Sequence, residues 1–490
     1  MKIVRPGDPE YRLDRIISNA RFDYFPDVIY YCQNAGDVTE AMALARAAGL
    51  PVRVRSGGHQ HEGMCSGNGV AIIDLSLINH IRFEDNDDTV WMGAGAKLTD
   101  VYTAVLGRNR LFPGGGCGDV RVAGLVQGGG WGLYARQLGL TCDVLTGFRM
   151  ILADGQPVEV TDRADDPHHD LFWAVSGGGG GNFGIATDFR FKLAPYGGVI
   201  TSFSVSWSDS EAVSPVIVDW TSRFHDADPR LTTFGRLTAV GSGDPPALVS
   251  GYFLGDEPEL KSILPHLLRN SWTQANPPQY ARVHEAGAAP LEGRRAFQHP
   301  DYQPGPPPPT LTDSSEGAPG GLSSTCDGTP YPHKVSSTYP RDQFGSPFLT
   351  TILGQLQRSR PETKARRYLS LHSLGGAVRG DGSQERQSCF AFRHKPFLLQ
   401  YQAWWADRND GPLGERCMAW VRDFREAMAP WTEGSFINFP DRDLVPAEDG
   451  KVALMRYYYA INLEHLMHIK RVYDPGNFFD FPMSIPLGSR

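Results

Sequence analysis

The chain has 490 residues, of which 41% are hydrophobic and 21% are charged, a composition typical of a globular protein with two or three domains. The formal net charge of −8 at pH 7 argues against nucleic acid or an anionic membrane as the main partner. The seven cysteines form no framework spacing, and the residues after Met1 lack the apolar core of a secretory signal. We therefore expect a reduced, cytoplasmic protein.

Strands and helices alternate in the first part of the chain. A capping signal at Asp37–Glu40 predicts a helix that ends at Ala48, before Gly49. Short β-branched runs predict strands over Pro51–Val54, Val70–Leu75 and Val90–Gly93.

The pattern then changes to longer alternating strands, predicted over residues 200–207, 234–240 and 247–254, with a helix over 210–224 between them. This order favours an antiparallel sheet with helices on one face. Residues 303–332 are rich in Pro, Gly and Ser and predict a long loop or insertion. A helix is predicted near the end of the chain, over Asn462–Tyr473.

Three glycine-rich segments carry the chemistry. The first is Arg53–His59, which ends in Gly-Gly-His, and the third is Ser176–Ile185, with five consecutive glycines. The second runs from Pro113 to Gly132 and contains Cys117, Val120, Gly124 and the Gly128–Gly130 run. Bare glycine backbone can approach a planar or anionic ligand closely because no Cβ intervenes.

His59 and Cys117 each allow more than one interpretation. His59 is an ordinary loop histidine, a metal ligand together with His61, or a nucleophile that bonds a ligand held by the glycines. Cys117 is either an inert buried thiol or a second nucleophile. A dinucleotide fingerprint at Gly93-Ala94-Gly95 fails because Leu98 stands where the third glycine is needed.

Together these segments resemble the berberine bridge enzyme-like branch of the vanillyl-alcohol oxidase flavoprotein superfamily. The resemblance implies an α+β fold with a two-part FAD-binding domain (residues 1–195 and 435–490) and an antiparallel-sheet substrate domain (residues 196–434). It implies FAD attached covalently through His59 and Cys117, and no metal. The further cofactor-binding positions that it implies are Arg55, Ser56, Gly57, Gly58, Gln60, Val120, Val122, Gly124, Gly129, Gly132, Gly139, Leu140, Asp143, Ile185 and Asn438.

The segment Phe397–Trp405 predicts the strand that faces the substrate. Its period-two alternation puts Phe397 and the odd-numbered residues on one face, and Leu398, Gln400, Gln402 and Trp404 on the other. Gln400 matches a family position that points into the active site, so Gln400 and Gln402 are predicted to orient the substrate. The alternative is that they are surface glutamines on an edge strand.

The resemblance breaks at Phe436 and Phe439, because the family usually has tyrosines there and the first often acts as general base. A phenyl ring cannot accept a proton. Either His372 supplies the base, or the substrate needs none, or the redox chemistry is altered or lost. Tyr457–Tyr459 precede Asn462 and either lie near the flavin or, as the resemblance also implies, form a structural part of the family's C-terminal tail.

The resemblance predicts an FAD-dependent oxidoreductase that takes hydride from a small organic substrate, with dioxygen as acceptor and hydrogen peroxide as product. Val120 is a small residue at a position where small residues favour reaction with dioxygen in the family. The alternatives are a dehydrogenase or bond-forming tailoring enzyme of secondary metabolism, and a flavin-bearing binding protein without turnover. The sequence leaves the substrate and the oligomeric state open.

Overall fold

The computed structural model describes residues 1–241, 244–285, 330–341, 345–358, 364–380, 382, 388–445 and 450–488. Most of the predicted insertion at 303–332 lies outside these residues, as does Cys326. No helix in these ranges is both long and apolar enough to cross a membrane.

The first part of the chain forms two main sheets. The first sheet contains β1 (Lys2–Val4), β2 (Val28–Tyr31), β3 (Val52–Arg55) and β4 (Ala71–Asp74), in the order β1-β2-β4-β3. The second contains β5 (Ile81–Phe83), β6 (Thr89–Gly93), β8 (Leu145–Leu152), β9 (Pro157–Thr161) and β10 (Gly184–Lys192), in the order β5-β6-β10-β8-β9. Two short strands, β7 (Arg110–Leu111) and β11 (Ala194–Pro195), pair with each other. The first sheet is parallel except for β1, and the second is antiparallel throughout.

Helices connect these strands and complete their core. They are α1 (Tyr11–Asp14), α2 (Ala35–Ala47), α3 (Leu98–Leu106), α4 (Val122–Gln127), α5 (Ala135–Leu138) and α6 (His169–Val175). The start of α2 corrects the predicted cap. The Asn34 side chain accepts from the Asp37 backbone N–H, while the Asp37 carboxylate accepts from the Gln33 N–H. The helix therefore begins two residues before Asp37.

The middle of the chain forms an eight-stranded antiparallel sheet in the order β15-β12-β14-β13-β17-β18-β16-β19. Its strands are β12 (Val199–Trp207), β13 (Leu231–Thr238), β14 (Ala247–Phe253), β15 (Gln279–Glu285), β16 (His333–Pro340), β17 (Ala365–Ser373), β18 (Phe397–Trp405) and β19 (Thr432–Glu433). The helices from here to the end of the chain are α7 (Val213–Arg223), α8 (Glu257–Leu267), α9 (Ser346–Gln357), α10 (Gly411–Met428), α11 (Gly450–Tyr459) and α12 (Leu463–Tyr473). The predicted strands and helices are confirmed, with ends displaced by up to three residues.

One face of the large sheet packs on helices and the other remains polar. On β18, Phe397, Leu399 and Tyr401 are buried in a core that also contains Trp220 of α7 and Phe424 of α10. Each such large apolar side chain contributes about 1.5–3 kcal/mol on burial. The opposite face carries glutamine, serine and histidine side chains and is free of covering helices where it borders the cavity described below.

A buried charge cluster joins three distant segments. The Lys334 ammonium on β16 donates to Glu62 Oε1 at 2.9 Å, Asp441 Oδ1 at 2.6 Å and Asp443 Oδ2 at 2.8 Å. Glu62 follows the first glycine segment, and it also pairs with Arg21 at 3.0 Å. Burial disfavours the charge on Lys334, but Asp441 and Glu62 outweigh that effect and leave its pKa raised. The cluster holds the first glycine segment against the large sheet.

Candidate cofactor and substrate site

A cavity of about 950 Å³ lies between the glycine-rich segments and the polar face of the large sheet. Its walls include Ser56–His61, Gly115–Cys117 and Gly179–Asn182 from the three glycine segments. The segments 437–440 and 479–483 from the last part of the chain close other sides. The cavity therefore draws its lining from all three regions that the sequence assigns to cofactor and substrate.

His59 presents a neutral imidazole to this cavity. The residue follows β3, and its Nε2 atom is buried without a hydrogen-bond partner among the described residues. Burial lowers its pKa to about 3, and the neighbouring His61 and Arg121 add to that effect. A buried polar atom normally has a partner, so the unsatisfied Nε2 is consistent with attachment to a ligand. The neutral ring is also the nucleophilic form.

Cys117 is the one cysteine of the described residues that is not buried. The other five, at positions 32, 65, 142, 389 and 417, are buried free thiols. Burial raises the pKa of Cys65 to about 11 and, with nearby carboxylates such as Asp37, that of Cys32 to about 12. Those two thiols are inert at neutral pH. Cys65 and Cys117 both line the cavity with His59, and Cys117 is the more exposed of the two.

The glycines of the cavity wall are required by close backbone approach. A Cβ at Gly57 would lie 2.6 Å from Arg121 Cγ. Gly179 and Gly181 have φ values of +83° and +72°, which residues with a Cβ rarely adopt. Gly124, by contrast, has nothing within 4 Å of its Cβ position, which opens towards the cavity. The wall is thus shaped to admit a large planar group beside His59 and Cys117, and these residues fit FAD.

Four rows of side chains cross the polar face of the sheet. In the first row, strand pairing across β13, β17 and β18 aligns Phe234, His372 and Leu398. In the second row, two residues further along each strand, it aligns Arg236, Ser370 and Gln400. The next rows align Tyr368 with Gln402, and then Arg366 with Trp404 and His333. The β18 strand is interior, and Gln400 and Gln402 are 5% and 7% exposed, so they are not surface glutamines of an edge strand. Leu398 shares the face that carries Gln400 and Gln402, but it packs in the core that is built mainly from the first part of the chain and does not line the cavity.

A directed hydrogen-bond chain runs across these rows. Trp404 Nε1 donates to Gln402 Oε1 at 3.2 Å, and the Gln402 amino group donates to Gln400 Oε1 at 3.0 Å and to Ser370 Oγ at 3.0 Å. An indole N–H can only donate, so Gln402 must turn its oxygen to Trp404 and its nitrogen to Gln400. Gln400 Oε1 then accepts from His372 Nε2, 2.8 Å away. The chain makes His372 the Nε2–H tautomer and leaves the Gln400 amino group available to a bound molecule.

Aromatic rings surround His372. Trp131 lies edge-on to it with ring centroids 4.5 Å apart, and Phe439 lies tilted at 5.5 Å. Phe436, the other phenylalanine that replaces a family tyrosine, is buried against Phe390 outside the cavity lining. Asn438, between the two phenylalanines, lines the cavity and donates to the Leu125 carbonyl at 2.9 Å.

The tyrosines before the last helix have structural partners. Tyr458 OH contacts the backbone of Asp441, and Tyr459 OH donates to the Gly178 carbonyl. Neither residue lines the cavity, and neither does the part-exposed Tyr457. Tyr458 and Tyr459 therefore have the structural role that the resemblance also allowed, because their hydroxyls bind the backbone of neighbouring segments.

The structure brings thirteen predicted site residues into the cavity lining: Ser56, Gly57, Gly58, His59, Gln60, Cys117, Val120, Gly124, Ile185, His372, Gln400, Gln402 and Asn438. Seven predicted residues lie behind the wall instead: Arg55, Val122, Gly129, Gly132, Gly139, Leu140 and Asp143. Arg55 pairs with Asp74, and Asp143 pairs with Arg393 while accepting from the Leu140 N–H. These residues shape the loops that form the wall, and any contact with a cofactor stays a prediction.

Sequence reasoning missed a histidine pair beside the cavity. His333 Nδ1 lies 2.9 Å from the Tyr331 carbonyl and must donate to it, so its Nε2 accepts from His61 Nδ1, also at 2.9 Å. The His333 ring stacks on Trp404 with centroids 4.0 Å apart. Burial lowers the pKa of His61 to about 4, and that of His333 is lowered as well, so both rings are neutral. The two residues are far apart in sequence, and no local signal links them.

Comparisons with known proteins agree with this site. Residues 26–161 match the FAD binding domain family, and residues 435–486 match the berberine and berberine-like family. The uncharacterised FAD-linked oxidoreductase YgaK of Bacillus subtilis is 30% identical over 487 residues, which cover 99% of this chain and 96% of that protein. The match spans nearly the whole length of both proteins.

Two solved structures share the fold. An aclacinomycin oxidoreductase is 26% identical, with a TM-score of 0.81 over 99% of each chain. The glucooligosaccharide oxidase of Acremonium strictum, which carries 6-S-cysteinyl, 8α-N1-histidyl FAD, is 21% identical, with a TM-score of 0.80 over 100% of this chain and 98% of that one. The predicted α+β fold of the vanillyl-alcohol oxidase type is confirmed. The chain belongs to the berberine bridge enzyme-like family of FAD-linked oxidoreductases.

Proposed function

We propose that this enzyme oxidises a small organic substrate with FAD held covalently by His59 and Cys117, and that dioxygen is the electron acceptor. The observation that carries the proposal is the convergence of His59, Cys117 and Gln400 on one cavity. Bound FAD supplies a hydride acceptor and passes the two electrons to dioxygen, which leaves with two protons as hydrogen peroxide. The free cysteines support a reducing compartment such as the cytoplasm.

His59 and Cys117 suit attachment for different reasons. The His59 imidazole is neutral and has an unsatisfied nitrogen, so it can act as a nucleophile without first losing a proton. Cys117 enters from a separate loop and is the accessible thiol among the described cysteines. Two attachments from two loops would hold the ring rigidly beneath the polar face of the sheet.

Gln400 and His372 are the candidate catalytic pair. The Gln400 amino group is a hydrogen-bond donor for a substrate oxygen, and its orientation is set by the chain that begins at Trp404. The His372 Nε2–H is committed to Gln400, so Nδ1 is the atom of that ring that can take a substrate proton. If His372 is the base, H372N should abolish the acid limb of the pH profile of substrate-dependent flavin reduction.

Mass spectrometry of acid-denatured protein tests the cofactor assignment. We expect one FAD mass to remain on the chain and to map to the peptides that contain His59 and Cys117. H59A and C117A should each retain FAD through the other residue, whereas the double variant should release it. A bare chain mass from a flavin-loaded sample would refute covalent attachment.

The choice of acceptor is tested at Val120, which lines the cavity between Cys117 and α4. V120L should slow reoxidation of the reduced protein by dioxygen by about tenfold, equivalent to about 1.4 kcal/mol, because a larger side chain restricts access to the ring. Stopped-flow absorbance measures this rate, and V240L at an exposed position is the control. Slow reoxidation of the unmodified protein would favour the dehydrogenase alternative.

A further inference from the structure

The outer end of the polar sheet face carries positive charge. Arg236, Lys364 and Arg366 line the cavity there, and Asp244 is the one acidic residue among the described lining residues. A fourth cation, Arg121, also lines the cavity and donates to the backbone carbonyls of Ser76 and Gly95 behind the wall. The lining is therefore cationic although the whole chain carries a net charge of −8.

Strand register concentrates two of these cations around Tyr368. Arg366 lies two residues before Tyr368 on β17, so both side chains point to the cavity face. Arg236 lies on the adjacent strand β13, and its guanidinium lies over the Tyr368 ring, 5.6 Å from the ring centre. The Arg236 guanidinium thus covers the Tyr368 ring, and Arg366 is the next residue along β17 on the same face.

Burial makes this arrangement suited to an anion. Arg236 is only 6% exposed, and the Arg366 side chain is 26% exposed. Asp244 Oδ2 lies 3.6 Å from Arg366 Nε, so this carboxylate offsets part of the charge. Cations in a partly desolvated cleft attract an anionic ligand strongly, because the low-dielectric walls focus their field.

Arg366 stands apart from His372 on this face, whereas Arg236 reaches Tyr368 from the row that also contains Gln400. Tyr368 and His372 are four residues apart on β17, which corresponds to about 13 Å along the strand. The row between Tyr368 and His372 holds Ser370 and Gln400, and Gln402 lies in the row of Tyr368 itself. A ligand that reaches both ends must be extended and flat enough to lie along this face.

We propose that the substrate is an extended, planar organic anion whose carboxylate, or an equivalent acidic group, binds between Arg236 and Arg366 beside Tyr368. Its opposite end then lies under Gln400 and His372, where it is oxidised. This assignment rests on the proposed function for the reaction, but the anion site itself is testable by binding alone.

The test compares biphenyl-4-carboxylate with biphenyl-4-carboxamide, which has the same shape and no charge. Binding to the purified full-length holoprotein is followed by tryptophan fluorescence and by the flavin difference spectrum. We expect the carboxylate to bind at least about tenfold more tightly, because a charge-assisted hydrogen bond contributes that much or more. Raising the salt from about 50 mM to about 500 mM should reduce the difference.

Variants locate the site. R366M and R236M should each weaken carboxylate binding by about tenfold and leave carboxamide binding unchanged. D244N should strengthen carboxylate binding, a gain that a folding defect cannot produce. R163M, which removes the same charge from an exposed position, is the control and should change neither affinity.

Three results would overturn the inference. The first is equal affinity for the two probes, and the second is an equal loss of carboxylate affinity in R163M and R366M. The third is that D244N and R366M, measured as separate variants, both leave carboxylate binding unchanged. Loss of FAD from R236M or R366M would assign these cations to the cofactor phosphates and would also overturn it. Protein without covalent FAD would refute the cofactor assignment, while the fluorescence titration would still report on the anion site.

Discussion

At the scale of single residues, the orientation of the Gln400 and Gln402 amides depends on one hydrogen-bond donor, the Trp404 indole N–H, which cannot act as an acceptor. Glutamine amides can rotate by half a turn and exchange oxygen for nitrogen. Trp404 removes this freedom because its N–H accepts nothing, and the constraint passes through Gln402 to Gln400 and His372. His333, stacked on Trp404, holds the indole in place. The neutral histidines and the amides therefore form one connected polar layer above the cavity.

W404F tests this dependence. It removes the N–H but keeps an aromatic ring to stack on His333. The Tyr368 hydroxyl, 3.2 Å from Gln402 Oε1, remains, but a hydroxyl can donate or accept and therefore does not fix the orientation of the Gln402 amide. We expect a loss of stability of about 1 kcal/mol in urea unfolding, the usual value of one hydrogen bond. We also expect slower substrate-dependent flavin reduction with an altered pH profile, because His372 is no longer held in one tautomer.

The control for this prediction is W173F, at a tryptophan that stacks on His465 away from the cavity. It should change stability by no more than about 0.5 kcal/mol and leave the pH profile unaltered. If W404F behaves like W173F in both measurements, the hydrogen-bond chain from Trp404 does not set the tautomer of His372.

At the scale of elements, the glycines of the second segment have two separate functions. Gly130 has φ +76°, and its Cβ position falls on the Thr141 side chain, so this glycine is needed for the turn itself. Gly124 lies in α4 with ordinary helical geometry, and its Cβ position is open towards the cavity. Gly130 is therefore required by the fold, whereas Gly124 is required by the ligand that fills the cavity.

G130A and G124A should therefore fail in opposite ways. G130A should lose at least about 1–2 kcal/mol of stability from its backbone conformation alone. G124A should keep or gain up to about 1 kcal/mol, because alanine favours a helix, yet bind less FAD per chain. Urea unfolding and the ratio of flavin to protein absorbance separate the two effects. Full FAD loading of G124A would show that α4 does not contact the cofactor.

The Lys334 cluster joins the first glycine segment to β16 and to the segment after β19. K334M would leave Glu62 and Asp441 buried without their shared cation, and we expect a cost of about 3–5 kcal/mol. K261M, which breaks an exposed pair with Glu257, should cost no more than about 1 kcal/mol. Chemical denaturation of both variants gives the comparison, and similar costs would mean that the cluster is not what holds these segments together.

The sequence predicted those parts of the site that local patterns encode. Alternation in Phe397–Trp405 gave the correct cavity face for Gln400 and Gln402, and the glycine segments marked the wall that holds His59 and Cys117. The same alternation in β17 places Arg366 and Tyr368 on the same face as His372, a signal that was present but unused. Contacts such as His61 with His333 arise only when distant segments meet, so no periodicity reveals them.

At the scale of the whole molecule, the histidines between the first glycine segment and the large sheet couple stability to pH. His61 has a folded-state pKa of about 4 because it is buried, with Arg21 adding to the effect, and the pKa of His333 is lowered in the same direction. An unfolded histidine titrates near 6.5. As the pH falls below about 6.5, the unfolded chain therefore takes up protons that the folded chain excludes, and the folded state loses stability.

The expected loss from His61 alone is about 2 kcal/mol at pH 5, since each pH unit below 6.5 contributes about 1.4 kcal/mol. Urea midpoints measured between pH 7.5 and pH 5 should fall accordingly. H61N keeps a hydrogen-bond donor for His333 but cannot take up a proton, so it should reduce this dependence by the share of His61, whereas H468N at an exposed position should leave it unchanged. If the urea midpoint of H61N falls with pH as steeply as that of the unmodified protein, carboxylates elsewhere govern acid stability. The contact between the first glycine segment and the large sheet is then not the first part of the molecule to be destabilised in acid.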